Sequence, residues 1–483
     1  YYAQGQFLGD QFTIAASTRD DDGYDYSGTL DEQGNPYERD LYLGTDNIFL
    51  DVFGDSWRFN AAFFDLNQAK MGTTPVNYSK GQHENQSYYL DLSKSFDVLD
   101  GQLKFWLRYD NLDMSFYSEA FPCPPGAGGF IPGTGCSAGP GPFDDPYKHF
   151  TQVERTTFET QFKNKINESL DYILGAAYEK HESDPFVFES LVDGSISPIS
   201  AYPNNSPEYE NLALYGQLQY VYNDQWSGVM GLRWEDNDDS GASDLIPRLG
   251  VVYRYTDDTS FKFLYGEAFR SATFIEKYVD SAPALSGNPS LDRETIKTYE
   301  VAVESKINAT NSITLAAYYL DVEDEIRRVN SANGPIYQNT DGREMYGIEL
   351  QWVSRLSDQL NLTLNSTYKD GEEKALGEGV YFSNFDLTAI LDYRFNENWR
   401  ASLINNYVGS NDYLLNNGQK GDVDAYNLTD IHLAYQTGVI EISTEIKNLF
   451  DEDDELPEPA RRNIAEIPGG PERSFYLTMR YAF

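Results

Sequence analysis

Residues 475–483 read Phe475-Tyr476-Leu477-Thr478-Met479-Arg480-Tyr481-Ala482-Phe483. Phe475, Leu477, Met479, Tyr481 and Phe483 fall on one face of an extended chain, and Tyr476, Thr478 and Arg480 on the other. Period two with one apolar face is the signature of a strand. The same pattern recurs upstream. Leu103, Phe105, Leu107 and Tyr109 alternate with Lys104 and Arg108. Leu170, Tyr172, Leu174, Ala176 and Tyr178 share a face, with Asp171 and Glu179 opposite. Phe385, Leu387, Ala389, Leu391 and Tyr393 alternate with Asp386, Thr388, Ile390 and Asp392. Ile440, Ile442 and Ile446 alternate with Glu441, Ser443 and Glu445. Runs of about ten such residues, each ended by a turn, repeat along the chain. No composition shift marks a linker or a second domain, so residues 1–483 read as one unit.

The connections between these runs alternate in length. Short ones are Gly9-Asp10, Gly54-Asp55, Asp97–Asp100, Asn167-Glu168 and Asn223–Gln225, then Thr256–Asp258, Asn308–Thr310, Ser357-Asp358, Asn396–Asn398 and Thr437-Gly438. They use the Asn, Asp and Gly residues that tight hairpin turns require. Between them lie longer polar segments at 19–46, 68–85, 118–149, 183–207, 235–243, 270–293, 328–338, 370–380, 410–423 and 451–472. Short turns on one rim and long loops on the other are the arrangement of an outer-membrane barrel. A soluble antiparallel β-protein has no reason to sort its loops so strictly.

Composition agrees. Of 483 residues, 36 are Lys or Arg and 77 are Asp or Glu, a formal net charge of −41. Phosphate binding needs a basic face, so nucleic acid is excluded as a partner. Aromatics make up 15 %, too many for a disordered chain. Mean hydropathy is −0.55, and no run approaches the roughly 18 apolar residues of a transmembrane helix. A transmembrane barrel keeps mean hydropathy low because only alternate residues meet lipid. The expected fold is therefore all-β, a transmembrane antiparallel β-barrel. About 21 strands are visible, an odd number, whereas bacterial single-chain barrels have even numbers. Tyr1–Leu8 runs into a short turn, which makes it a descending strand. A strand before it would bring the total to about 22, the size of plugged transporters.

Several stretches resemble the TonB-dependent receptors. Phe263-Leu264-Tyr265-Gly266-Glu267-Ala268-Phe269-Arg270-Ser271 is similar to a mid-barrel strand of that family entering a long loop. Gly287-Asn288-Pro289-Ser290-Leu291-Asp292-Arg293-Glu294-Thr295, followed by Tyr299-Glu300, resembles its "NP.L..E....YE" stretch. Tyr346-Gly347-Ile348-Glu349 resembles its later "GxE" strand, and Ile446-Lys447-Asn448-Leu449-Phe450-Asp451 its "NLFD" motif. The opening from Gly9-Asp10 through Tyr24 is similar to the family's first turn and loop. Phe483 resembles the C-terminal signal read by the barrel-assembly machinery, with lipopolysaccharide and lipid as further partners. The order matches the family's, over essentially the whole chain. The resemblance implies an outer-membrane receptor that takes up a scarce nutrient, most often a ferric siderophore. TonB would act through an N-terminal plug that nothing here matches. Either the sequence is a fragment or a plugless relative exists; the missing first strand favours the fragment. The alternative function is a passive, cation-selective porin, and the resemblance implies no cofactor.

Other motifs carry less. Gly135-Cys136-Ser137-Ala138-Gly139 fits G-x-S-x-G, but it sits in a Gly/Pro-rich loop that supplies neither strand nor helix, so no enzyme is expected. Cys123 and Cys136 flank the same loop and read as a disulfide in an oxidising compartment, with two free thiols as the alternative. The histidines His83, His149, His181 and His432 lack metal-ligand spacing. Asp236, Asp238 and Ser240 resemble half of a calcium loop, but Pro247 stands where the closing Glu belongs; no metal site is expected. The substrate-binding candidates are Phe269, Arg270, Phe274, Lys277 and Tyr278, which continue from the family-like strand into its loop. Aromatics there would pack on a flat ligand while Arg270 or Lys277 met negative charge. The competing readings are that Arg270 pairs with a loop carboxylate and that Phe269 joins an aromatic girdle.

Overall fold

The computed structural model describes residues 2–7, 10–23, 25–30, 36–40, 42–69, 82–118, 130–131, 135–136, 147–185, 187–192, 194, 196–198, 207–238, 242–281, 285–331, 334–375, 379, 382–414, 420–457 and 466–482. Alternating sequence becomes strand throughout. The wall opens with β1 (Tyr2–Phe7), β2 (Asp10–Asp21), β3 (Leu43–Phe53), β4 (Trp57–Ala69), β5 (Gln82–Val98), β6 (Gly101–Ser118) and β7 (Tyr147–Asn167). It continues with β8 (Leu170–Ser183), β9 (Glu208–Val221), β10 (Trp226–Asn237), β11 (Ala242–Thr256), β12 (Thr259–Arg270), β13 (Glu294–Asn308) and β14 (Asn311–Glu323). It closes with β15 (Arg343–Arg355), β16 (Leu360–Glu373), β17 (Phe385–Arg394), β18 (Trp399–Val408), β19 (Tyr426–Thr437), β20 (Ile440–Lys447) and β21 (Ser474–Tyr481). Two short additions, Val187–Ser190 and Ile196–Pro198, complete a sheet of 23 strands, leaving 21 in the wall.

Every wall strand pairs antiparallel with its chain neighbours. Connections therefore fall alternately on two rims. One rim carries only short turns, such as 99–100, 168–169, 257–258 and 309–310. The other carries the long segments, including 22–42, 119–146, 184–207, 271–293 and 448–473. One expected long segment differs. At 235–243 the strands β10 and β11 run on to Asn237 and from Ala242, so the link shrinks to 238–241. The reason is height: β10 has 12 residues and β11 has 15, whereas crossing a bilayer takes about 9–11. At the top of β10 the alternation ends before the strand does, in Glu235, Asp236 and Asn237. Among the described residues no ladder joins β1 to β21. Leu477 on β21 is 78 % exposed.

Directly paired residues share a face, so the register sorts the wall into two surfaces. The outer surface is apolar: Leu174, Leu214, Met230, Val301 and Ile348 are each more than half exposed. So large an apolar band has no place in water. Aromatics bound it. On β17, Phe385 meets Tyr407 near the long-loop side, and Tyr393 meets Phe395 near the short turns. Phe385 and Tyr393 lie eight residues apart on that strand, ~26 Å along it and ~20 Å in height at a ~40° tilt, close to the ~25 Å apolar band of outer-membrane barrels. Trp226, Tyr253 and Phe261 continue the lower row, and Tyr265, Tyr299 and Tyr319 the upper.

The inner surface is polar. Arg58 Nε donates to Asp51 at 2.7 Å. The Arg108 and Arg155 guanidiniums both reach Asp110, at 2.7 and 3.0 Å. Arg108 also lies 4.3 Å over the Tyr89 ring. Paired in this way, the charges of the inner wall hold one another in place across four strands. The family-like Asn448 motif is a turn. Asn448 takes a φ of 48°, its side chain bridges Glu452 N and O at 2.8 and 2.7 Å, and its amide reaches Asp430 at 2.9 Å. Phe483, Cys123 and Ser240 lie outside the described residues. Gly135–Cys136 forms a two-residue strand against Phe130–Ile131.

Candidate functional site

On the long-loop rim, two connections fold onto each other. Thr273 caps the helix α1 (Phe274–Tyr278), with a capping box between Thr273 and Glu276. After α1 the chain turns back: Gly287 N bonds Val279 O at 2.5 Å, and Asn288 N bonds Glu276 O at 2.9 Å. A side chain at Gly287 would stand 2.6 Å from the Lys277 backbone, so only glycine fits. Asn288 Oδ1 then accepts from Ser290 N at 3.0 Å, and Leu291 is buried. The family-like Gly287–Glu294 stretch is thus the returning half of this loop.

The second connection, 324–342, is a hairpin of Glu325–Ser331 and Gly334–Thr340. Ser286 pairs with Ile336, joining both loops in one small sheet. Ala272, Leu291 and Ile326 form a buried apolar cluster with Tyr337 against it. Asn339 clamps the join. Its amide reaches Asp292 N, Asp292 O and Asp324 O at 2.9, 3.0 and 2.7 Å. Glu294 accepts from Ile326 N at 3.0 Å. The result is a rigid turret, in which burial and the nearby Glu276 carboxylate hold the Tyr337 hydroxyl above the usual tyrosine range. Tyr337 therefore stays a neutral donor.

The five candidates from the sequence lie in or beside this turret, with different surroundings. Arg270 is spent on carboxylates: Nη1 to Glu276 at 2.8 Å and Nη2 to Glu294 at 3.2 Å. Phe269 lies 4.5 Å beneath the Arg293 guanidinium. Lys277 is 3 % exposed, and Tyr278 is half-buried. Phe274 faces Tyr209, centroids 5.3 Å apart, and Tyr209 stacks on His181 at 4.4 Å. His181 lies 3.3 Å from Glu179. The rings form an aromatic ledge that passes from the turret to the inner wall of β8 and β9. Sequence reasoning did not find Tyr209 or the exposed Arg328, which pairs across its hairpin with Tyr337. No local spacing connects positions 209 and 274; only the strand order does.

Of the half calcium loop, Asp236 and Asp238 are among the described residues and Ser240 is not. Asp236 lies on β10, and Asp238 Oδ1 takes the Glu210 amide at 2.8 Å. No group of three or more His, Cys, Asp or Glu converges among the described residues.

The TonB dependent receptor-like β-barrel family matches residues 7–449. The vitamin B12 transporter BtuB of Photobacterium profundum is 27 % identical over 282 residues, 57 % of this chain and 44 % of that protein. The metal-pseudopaline receptor CntO of Pseudomonas aeruginosa is 24 % identical over 361 residues, 64 % of this chain and 48 % of that protein. The chain spans about half the length of these curated relatives. The siderophore receptor PirA of Acinetobacter baumannii has the same fold, with a TM-score of 0.74 at 16 % identity, covering 100 % of this chain and 77 % of that one. A Pseudomonas aeruginosa ferric enterobactin receptor in complex with enterobactin gives 0.76 at 15 %, with 100 % and 78 % covered. Matched from its first hairpin to the Asn448 turn, the chain belongs to the TonB-dependent receptors, as a β-barrel of the bacterial outer membrane.

Proposed function

We propose that this barrel serves energy-dependent uptake of a scarce nutrient, with a ferric siderophore as the first ligand class, received on the turret and the Phe274–Tyr209–His181 ledge. The carrying observation is the ledge, continuous from the loop helix to the inner wall. A flat or aromatic chelate packs on such rings, and the exposed Arg328 beside Tyr337 is positioned for an acidic group on it. Arg270 and Lys277 act as supports beneath this surface and Tyr278 as its edge, while Phe269, on the outer face of β12, carries the Arg293 guanidinium outside it. A wall of 21 strands spaced ~4.8 Å apart at ~40° tilt has a backbone diameter of roughly 40 Å, too wide to select nutrients by size without a plug. That favours a receptor driven by TonB through a plug over a passive porin. The net charge of −41 slows anion approach, so within this class a neutral or cationic chelate is preferred to a bare tri-anionic one. Assembly uses Phe483 as the signal for the barrel-assembly machinery, the Cys123–Cys136 loop is closed by a disulfide, and no catalysis is involved.

Deletion of the gene, followed by uptake of labelled ferric siderophores, cobalamin, haem and glycans, tests the reading. The expected result is loss of one ferric chelate's uptake, with wild-type uptake abolished when the proton-motive force is collapsed. Passage of small solutes that ignores the proton-motive force would establish the porin instead.

A further inference from the structure

The wall carries a split. Along β11 the Arg254 amide donates to Gln225 O, on the β10 side. Amides two residues apart point the same way, so those of Val252, Gly250 and Arg248 also face β10, and those of Tyr253, Val251 and Leu249 face β12. Position 247 should donate to β12, but it is proline and has no N–H. The β11–β12 ladder ends at the next residue, Arg248 against Gly266. Above it, β11 stays with β10 up to Ala242, while Glu267–Arg270 of β12 stay with β13. The two lips part just above Tyr265 and Tyr299, the upper aromatic row.

One side chain crosses the split. Arg293 Nη1 donates to Asp244, on the inner face of the β11 lip. The same guanidinium covers Phe269, on the outer face of the β12 lip. The Arg293 side chain is only 5 % exposed. Taking away the Asp244 carboxylate or the Phe269 ring that such a buried charge rests on is costly. Two residues earlier in the chain, Leu291 belongs to the apolar cluster with Ala272 and Ile326.

Below the split, the lipid-facing surface carries a groove of about 670 Å³, lined by Leu174, Gly216, Met230, Leu232, Pro247 and Leu249. It runs from Ile166, near a short turn, up to Pro247 and Tyr265 at the foot of the split. It lies between the two aromatic rows, where hydrocarbon is the surrounding medium. Gly216 keeps it open, since a Cβ there meets only Leu174 at 3.4 Å and the Ile173 carbonyl at 3.8 Å.

We propose that the β11–β12 split is a lateral passage by which an acyl-bearing amphiphile of the outer leaflet reaches the receptor's vestibule. The acyl chain lies in the groove, the polar head stands at the split, and Arg293 is the latch. The test uses the outer-membrane protein as expressed from its gene, in vesicles of lipopolysaccharide and radiolabelled palmitoyl phospholipid. A benzophenone amino acid replaces Ala268, on the inner face of the β12 lip, and lipid adducts are counted after irradiation. Arg293→Ala is expected to raise the adduct at least fivefold. Adding Pro247→Val, which restores the missing N–H and lets the ladder extend, is expected to return it to the wild-type level. In an otherwise wild-type wall, Gly216→Leu, which fills the groove, is expected to at least halve it. If Arg293→Ala does not fold, Gly216→Leu and Pro247→Val alone carry the test. Adducts unchanged in every folded variant would overturn the passage.

Discussion

Gly342→Val is expected to lower binding of the transported ligand to intact cells at least tenfold while leaving the barrel folded. Gly342 has φ 79°, and a side chain there would run into the Val322 carbonyl. A β-branched residue is doubly excluded, by the left-handed backbone and by the collision. Strain of this kind costs roughly 1–3 kcal/mol per site before the clash is counted. Gly342 ends the hairpin connection where it meets β15, and the Lys374 amide bonds its carbonyl at 3.0 Å. Losing that anchor frees Asn339 and Ile326 from the loop that carries α1, so the turret comes apart. The wall ladders do not depend on it. Heat-modifiable migration on gels checks the barrel, and hydrogen exchange over 325–340 checks the hairpin. Unchanged binding would mean that the turret is not the receiving surface.

The second large effect separates the two faces of the wall. Leu315 and Thr314 are neighbours on β14 at nearly the same height. Leu315 is 42 % exposed on the outer face, whereas Thr314 pairs with Glu304 and Gln351 on the inner face. Arginine at a lipid-facing site near mid-membrane costs about 2–4 kcal/mol. Leu315→Arg is therefore expected to shift urea unfolding in vesicles by about that amount. Thr314→Arg meets Glu304 across the strands and is expected to shift it by less than about 1 kcal/mol. Equal losses in both variants would mean that the faces are wrongly assigned.

The wall was legible because its physics is local. Phe385 to Tyr393 alternates in the sequence, and the same residues alternate between lipid and lumen in the barrel. The turn residues at 99–100 and 309–310 equally announced the short rim. What escaped is non-local. For Arg270 the sequence leaves open a ligand's negative charge or a loop carboxylate; Glu276 and Glu294 hold it through a helix cap and a strand start that only the fold brings together. Phe274 was selected from its own loop, yet its partner Tyr209 comes from another strand. Asn339 carries no motif, and its importance lies in two bonds to Asp292 of the other loop and one to Asp324 of its own. Glu235 and Asp236 read as loop, yet they end β10, because a strand that has left the hydrocarbon need not alternate. In the sequence Pro247 only spoils a calcium loop; in the wall its missing amide proton ends a ladder.

The barrel is expected to cross the outer membrane with its long-loop rim facing outward. Single cysteines at Asp341, on the long-loop rim, and Glu397, in a short turn, test it most directly, in a background carrying Cys123→Ser and Cys136→Ser. An impermeant maleimide applied to intact cells should label Asp341→Cys at once, and Glu397→Cys only after the outer membrane is permeabilised. Labelling of Glu397→Cys in intact cells, or protection of Asp341→Cys, would contradict the topology and the site built upon it.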